Sequence, residues 1–216
     1  MEADKYLVTQ AAYNSVAKGY AGNAYAKQWM KGYLADFCVW VGQPGKVLDL
    51  GCGPGHDAAL FVARGFQVTG FDFSAKMIIE AQKRVLGARF VQGDFREMDF
   101  PNDEFDAVWS VGSLHHLPKS DLPEILQKVY WCLKSGGYMF IAVKGGEGEM
   151  IATGEQIGVG TKVRKFWSYW QPKEFVKVIG QAGFRVVKQA HTESMRKKEL
   201  PQDKRNEWWV NVWCRK

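Results

Sequence analysis

Apolar residues along this chain change their spacing several times, and each change marks an element. Up to residue 42, Ala11, Ala12, Val16, Tyr20, Ala24, Trp29, Tyr33 and Leu34 recur mostly four apart, the repeat of a helix with one buried face. Gly19, Gly22 and Asn23 interrupt the run, so the pattern predicts two helices joined there. Gly42-Gln43-Pro44-Gly45 is a turn. Short apolar runs then alternate with helical ones. Residues 46–50, 66–71, 88–92, 105–111 and 138–143 read as strands. Residues 54–64, 74–86 and 121–133 read as helices. Gly65 suits a helix C-terminus, Ser74 an N-cap and Pro123 a first turn, and Gly136-Gly137 breaks the third helix.

This alternation predicts an α/β protein, a Rossmann-like, mostly parallel sheet with helices on both faces. Residues 145–170, rich in glycine and polar side chains, interrupt the rhythm and read as a loop inserted after a strand. A helix at 172–180 and strands at 184–190 and 207–214 complete a count of seven strands. Only the polar stretch 191–206 joins the last two, so 207–214 is expected as an antiparallel edge strand. The Trp208-Trp209-Val210-Asn211-Val212-Trp213 alternation fits that edge and core packing. Residues 1–44 form an N-terminal helical cap or lid, and 45–216 the main part of one structural domain.

Composition adds exclusions. At 216 residues with 46% hydrophobic and 24% charged, the chain is a globular domain rather than a disordered one. It has no apolar run long enough to span a membrane. The polar start Met1-Glu2-Ala3-Asp4-Lys5 is not a secretory signal. Cys38, Cys52, Cys132 and Cys214 form no CxxC pair, which argues against a zinc site or disulfide framework and for a cytoplasmic location. The net charge of +6 is unevenly placed, with fourteen Lys and Arg against five Asp and Glu from Lys162 onward. A solvated basic face explains this, and an anionic substrate or nucleic acid is the other reading.

The most informative stretch is Val47-Leu48-Asp49-Leu50-Gly51-Cys52-Gly53-Pro54-Gly55, between a predicted strand and a predicted helix. Alternate glycines let a ligand approach the backbone amides. The spacing is GxGxG rather than the dinucleotide GxGxxG, and the Lys-Ser/Thr pair of a nucleoside triphosphate loop is absent. Asp49 precedes Gly51 on the strand. Asp72 ends the next strand, where an acid can accept from both ribose hydroxyls.

These residues resemble motif I and the following acidic motif of class I S-adenosylmethionine-dependent methyltransferases. Gln92-Gly93-Asp94-Phe95 is similar to the adenine-binding motif, Phe105 to Ser110 to the fourth strand, and Leu133-Lys134-Ser135-Gly136-Gly137 to the turn into the fifth. The resemblance covers about residues 45–145. It implies S-adenosyl-L-methionine as cofactor and no metal. Gly51, Cys52 and Gly53 would hold its methionine end, with Asp49 orienting the loop. Asp72 would hold the ribose, and Phe73, Asp94 and Phe95 the adenine. Ser110 completes this set.

Methyl transfer from a sulfonium needs mainly alignment, and a base only where the acceptor must lose a proton. His115 and His116, beyond the fourth strand, are candidates for that base or are structural. Lys144, Arg164, Trp167 and Trp170 are candidates for the acceptor wall, although the two tryptophans equally suit pinning the insert to the core. Tyr13 and Tyr20 would cover the site as a lid. The expected function is methyl transfer to a small molecule by a monomer or homodimer. A tRNA methyltransferase and a non-catalytic cofactor-binding module are the alternatives.

Overall fold

The computed structural model describes residues 4–27, 30–42, 44–156, 159–193 and 208–216. Trp29, Gln43 and Glu207, and most of the stretch 191–206, lie outside them. The chain opens with α1 (Lys5–Lys27) and α2 (Lys31–Val41). The joint therefore falls after Lys27, not at Gly19–Asn23. Nothing lies within 4 Å of where a Gly22 side chain would start, so that glycine sits on an open helix face rather than at a bend.

Then come β1 (Lys46–Leu50), α3 (His56–Val62), β2 (Gln67–Asp72), α4 (Ala75–Arg84), β3 (Ala88–Gln92), β4 (Phe105–Val111), α5 (Leu122–Cys132) and β5 (Leu133–Lys144). Ser74 caps α4 by accepting from the Met77 N–H at 3.2 Å. β5 starts earlier than expected and runs through Gly136-Gly137, so those glycines lie inside a strand, with a register shift where β5 meets β4.

Residues 145–170 are not an open loop. They form an antiparallel hairpin, β6 (Glu149–Gln156) and β7 (Thr161–Ser168), as a separate two-stranded sheet. Its polar composition hid it, because the hairpin faces solvent and a cavity instead of a deep core. After it come α6 (Pro172–Gln181), β8 (Arg185–Glu193) and β9 (Trp208–Arg215).

The main sheet has seven strands in the order β3-β2-β1-β4-β5-β9-β8. β9 is antiparallel to both β5 and β8. It lies one place in from the edge, and β8 takes the edge position expected for residues 207–214. Side chains alternate across the sheet. Leu48, Leu50, Val108, Ile141 and Val143 pack with α5 and α6 on one face. Val47, Ala107, Trp109, Phe140 and Trp213 pack with Leu34, Phe37, Ala58 and Phe61 of α2 and α3 on the other. The strand order reverses between β1 and β4, which opens a crevice beyond their C-terminal ends. Helix α1 crosses that crevice and meets the hairpin, where buried Thr9 accepts the Phe166 N–H at 3.0 Å. Among the described residues no helix is long and apolar enough to cross a membrane.

Candidate functional site

Two cavities open at the crevice. The smaller, about 60 Å³, is lined by Gly51, Cys52, Gly53, Asp72, Phe73, Asp94 and Phe95. The larger, about 310 Å³, is lined by His115, Lys144, Lys165, Trp167, Tyr169 and Trp209 among others. Tyr13, Tyr20, His56, Val111 and Gly112 line both, so the cavities meet there.

The glycine loop leaves β1 with Gly51 at φ 80° and Gly53 at φ 52°, the left-handed region. A side chain on Gly51 would begin 2.1 Å from the Ser113 Cβ, so only glycine fits between β1 and the turn after β4. Asp72 accepts the Gly53 N–H at 2.9 Å and the Ser74 N–H at 2.8 Å. Burial lifts its carboxyl to about 6, and those two donors only partly oppose this.

Asp94 lies in a fork, accepting from Arg96 Nε at 3.1 Å and Nη2 at 2.7 Å. Burial raises this carboxyl, and the Arg96 guanidinium more than offsets it, so the group ends below the usual carboxylate range. Arg96 also lies 3.6 Å from the ring centre of Tyr6, whose hydroxyl donates to Asp121. This chain of contacts ties the start of α1 to the rim of the smaller cavity.

Beneath the loop lie Asp49, His56 and Asp57. Asp57 accepts from the Trp109 indole at 2.8 Å. Asp49 Oδ2, His56 Nδ1 and Asp57 Oδ1 are buried without a hydrogen-bond partner among the described residues. Burial, and then Asp57 and Asp72, push the Asp49 carboxyl well above its ordinary value.

Both candidate base histidines are buried. His116 Nδ1 lies 2.7 Å from the Phe166 carbonyl, which can only accept, so this nitrogen carries the proton. Its Nε2 therefore accepts from the Tyr13 hydroxyl, 2.7 Å away. His115 Nδ1 accepts the Lys144 backbone N–H at 3.2 Å, which leaves the His115 proton on Nε2. Burial, with His116, Lys144 and Lys165 nearby, holds His115 well below its usual pKa. Burial and Lys165 do the same to His116, against the opposing pull of the Phe166 carbonyl.

In the larger cavity Lys144 Nζ and Lys165 Nζ stand 4.4 and 4.9 Å from the Trp167 ring centre. Lys165 also lies 4.8 Å from the Tyr13 ring and donates to Gln156 at 2.8 Å.

Four expected site residues line neither cavity. Ser110 is buried and donates to the Leu50 carbonyl at 3.0 Å, bridging β4 to β1 instead of lining a cavity. Arg164 is exposed, because β7 alternates and its neighbours Val163 and Lys165 point inward. Trp170, 1% exposed, packs on Phe175 in the core. Asp49 lies below the loop rather than on a cavity wall. His56 and Lys165 were missed. The two-residue spacing of Val163, Lys165 and Trp167 carried the signal for Lys165, and only a strand reading of this segment exposes it.

A crevice beyond the switch from β1 to β4, a glycine loop and an acid at the end of β2 define a class I, S-adenosylmethionine-dependent methyltransferase fold. Within it, residues 47–137 match the family described as Methyltransferase domain. The chain is 39% identical over 98 residues to a fatty-acid O-methyltransferase of Mycolicibacterium smegmatis, covering 43% of this chain and 35% of that one. It is 28% identical over 165 residues to a malonyl-[acyl-carrier protein] O-methyltransferase of Erwinia billingiae, covering 76% and 64%. Most of the curated relatives it resembles are matched over a third to a half of their length. Among solved structures it resembles the 1,6-didemethyltoxoflavin-N1-methyltransferase of Burkholderia thailandensis with bound 1,6-didemethyltoxoflavin and S-adenosylhomocysteine. That likeness has a TM-score of 0.73 at 21% identity, over 100% of this chain and 92% of that one.

Proposed function

We propose that the protein binds S-adenosylmethionine in the smaller cavity and transfers its methyl group to a small molecule in the larger one. The observation that carries this reading is the meeting of the two cavities at Tyr13, Tyr20, His56, Val111 and Gly112. A donor and an acceptor in adjoining cavities need little beyond alignment and exclusion of water.

The residues present fit the cofactor. Asp72 offers a carboxylate, and Gly51 and Gly53 offer a backbone free of side chains. His56, on the wall of both cavities, offers a buried Nδ1 with no hydrogen-bond partner among the described residues, suited to the charged methionine end, and Asp49 would orient the loop from beneath. Phe73, Phe95 and Asp94 would receive the adenine, and Cys52 would close the loop side. When bound, the cofactor supplies an activated methyl group. Tyr13 and Tyr20 would shield the junction, and Lys144 and Trp167 would form the acceptor wall with Lys165. His115 and His116 would hold that wall in place.

A cavity of about 310 Å³ supports a small-molecule acceptor over a nucleic acid. In this reading residues 1–44 act as the cap over residues 45–216. The enzyme works in the cytoplasm, in keeping with four cysteines in no disulfide.

Calorimetric titration with S-adenosylhomocysteine tests the reading. Binding by the wild type is expected to weaken in Asp72→Ala by about 1.5–3 kcal/mol, the worth of hydrogen bonds to a charged group. Unchanged affinity removes the ribose assignment. Tight NADH binding without binding of the sulfonium or its product overturns the whole reading, and binding without turnover on any acceptor leaves the non-catalytic alternative.

A further inference from the structure

One interior strand carries a polar residue where its pattern calls for an apolar one. Along β9, Val210, Val212 and Cys214 enter the core on one face of the sheet. Trp209 and Trp213 pack on the other, and Asn211, 2% exposed, stands between them. An apolar side chain there would fill the space with no polar group to satisfy, whereas a buried amide costs free energy for every atom left unpaired. Asn211 also lines the larger cavity, and so does Thr192 of β8.

The orientation of the Asn211 amide is fixed. Its nitrogen lies 3.3 Å from the Ala190 carbonyl and 3.5 Å from the Trp209 carbonyl. A carbonyl only accepts, so the group facing both is the NH2. The same nitrogen donates to Thr192 Oγ1 at 3.0 Å. Asn211 Oδ1 takes no hydrogen bond among the described residues, and it is not sealed off in the interior, so it opens on the cavity. Thr192 Oγ1, having accepted from Asn211, keeps its own proton for a further partner, and the described residues supply none. The two side chains thus present an acceptor and a donor side by side. On the hairpin side a second amide is fixed by the same logic. Lys165 Nζ, which only donates, faces Gln156 Oε1 at 2.8 Å, so the Gln156 NH2 group is left to donate elsewhere. Gln156 is buried and lines the same cavity.

We infer that Asn211 and Thr192 form the recognition edge for the methyl acceptor, and that the acceptor carries an N–H donor beside a carbonyl oxygen, as in a lactam, a ureide or an oxo-substituted heteroaromatic ring. This rests on the proposed function and names the substrate class of its larger cavity. The N–H donates to Asn211 Oδ1, and the carbonyl oxygen accepts from the Thr192 hydroxyl. Gln156 serves a second carbonyl where the molecule has one. A site that buries such groups rejects an analogue lacking the donor, because the amide oxygen is then left dry and unpaired. Asn211 and Thr192 are specificity residues in this scheme, and the Ala190 and Trp209 carbonyls position the amide.

The test is equilibrium binding to the full chain, alone and saturated with S-adenosylhomocysteine. The probes are quinolin-2-one, which carries donor and acceptor together, 1-methylquinolin-2-one, which keeps only the acceptor, and indole, which keeps only the donor. Quinolin-2-one is expected to bind at least about tenfold tighter than either. In Asn211→Leu its advantage over the N-methyl compound should fall to within about twofold. In Thr192→Val its advantage over indole should fall likewise, and Thr192→Ser should keep it. Affinity for S-adenosylhomocysteine should be unchanged in all three variants. Equal or tighter binding of 1-methylquinolin-2-one or indole by the wild type overturns the inference, and so does no binding by any probe. A ranking that survives Asn211→Leu while the fold loses stability also overturns it, since the amide would then serve only to tie β8 to β9. Should Asn211→Leu fail to fold, the two Thr192 variants carry that arm and the wild-type comparison stands by itself. Failure of the wild type to bind S-adenosylhomocysteine would strike the proposed function instead, and the probe ranking of the unliganded chain still decides this inference.

Discussion

Asp72 sits at the end of β2 with two backbone N–H donors, yet burial lifts its carboxyl to about 6. An acid whose folded value exceeds its unfolded one destabilises the unliganded fold as pH rises through the window between them, and the full cost is present above about 6. Hydroxyl groups donated by a bound ribose favour the ionised form, so ligand binding draws the proton off. Affinity for S-adenosylhomocysteine is therefore expected to be level above about pH 6.5 and to fall by up to about tenfold per unit below 6. Titrations from pH 5 to 8 check this, and Asp72→Asn should lack the inflection near 6. Two tryptophans three positions apart should separate in the same direct way. Trp170→Ala removes a core side chain and should cost about 3–5 kcal/mol of stability while sparing turnover per folded molecule. Trp167→Ala removes a side chain from the wall of the larger cavity, the acceptor wall of the proposed function, so turnover should drop by much more than stability. Urea unfolding and single-turnover assays on both variants decide between these assignments.

At the scale of elements, the hairpin β6–β7 and helix α1 act as one cover, joined where Phe166 donates to Thr9 and where Tyr13 donates to His116. Thr9→Val leaves the Phe166 N–H buried and unpaired, which should cost about 1–3 kcal/mol. Amide exchange in β7 should quicken more than exchange in β1 or β4. The elements that were legible in the sequence are those whose side chains enter a deep core. β1 and β4 match their expected bounds because strands buried on both faces read as nearly continuous apolar runs, and edge strand β3, with Arg89 and Gln92 exposed, matches through Phe90-Val91 alone. The hairpin was illegible because its inward residues, such as Lys165 and Gln156, are polar and line a cavity. Asp72, Asp94 and the glycines were legible as a local pattern. Lys165 and His56 depend on which way a strand or turn faces, and local spacing does not carry that.

For the whole molecule, the smaller cavity is closed by parts far apart in sequence: α1, the loop after β1, the end of β2 and the turn after β4. A ligand that bridges them ties the halves of the sheet to the cap. At a hundredfold excess over its Kd, S-adenosylhomocysteine should stabilise the fold by about 2.7 kcal/mol, a rise of about 5–10 °C in Tm for a chain of this size. A thermal scan reads this directly, and NADH at equal concentration should produce no shift.

The place of β9 between β5 and β8 has a consequence for synthesis. The ribosome delivers residues in order, so β5 and β8 emerge before the strand that must lie between them. Until residues 208–215 clear the exit tunnel, β5 exposes a row of unpaired amides and carbonyls, and β8 has no neighbour in the main sheet. A nascent chain arrested before residue 208 should hold β1 to β4 folded, with β5 as an open edge available to chaperones or to another chain. Completion of the sheet is then an insertion step rather than an addition at the rim, and this makes β9 the last strand to secure the fold.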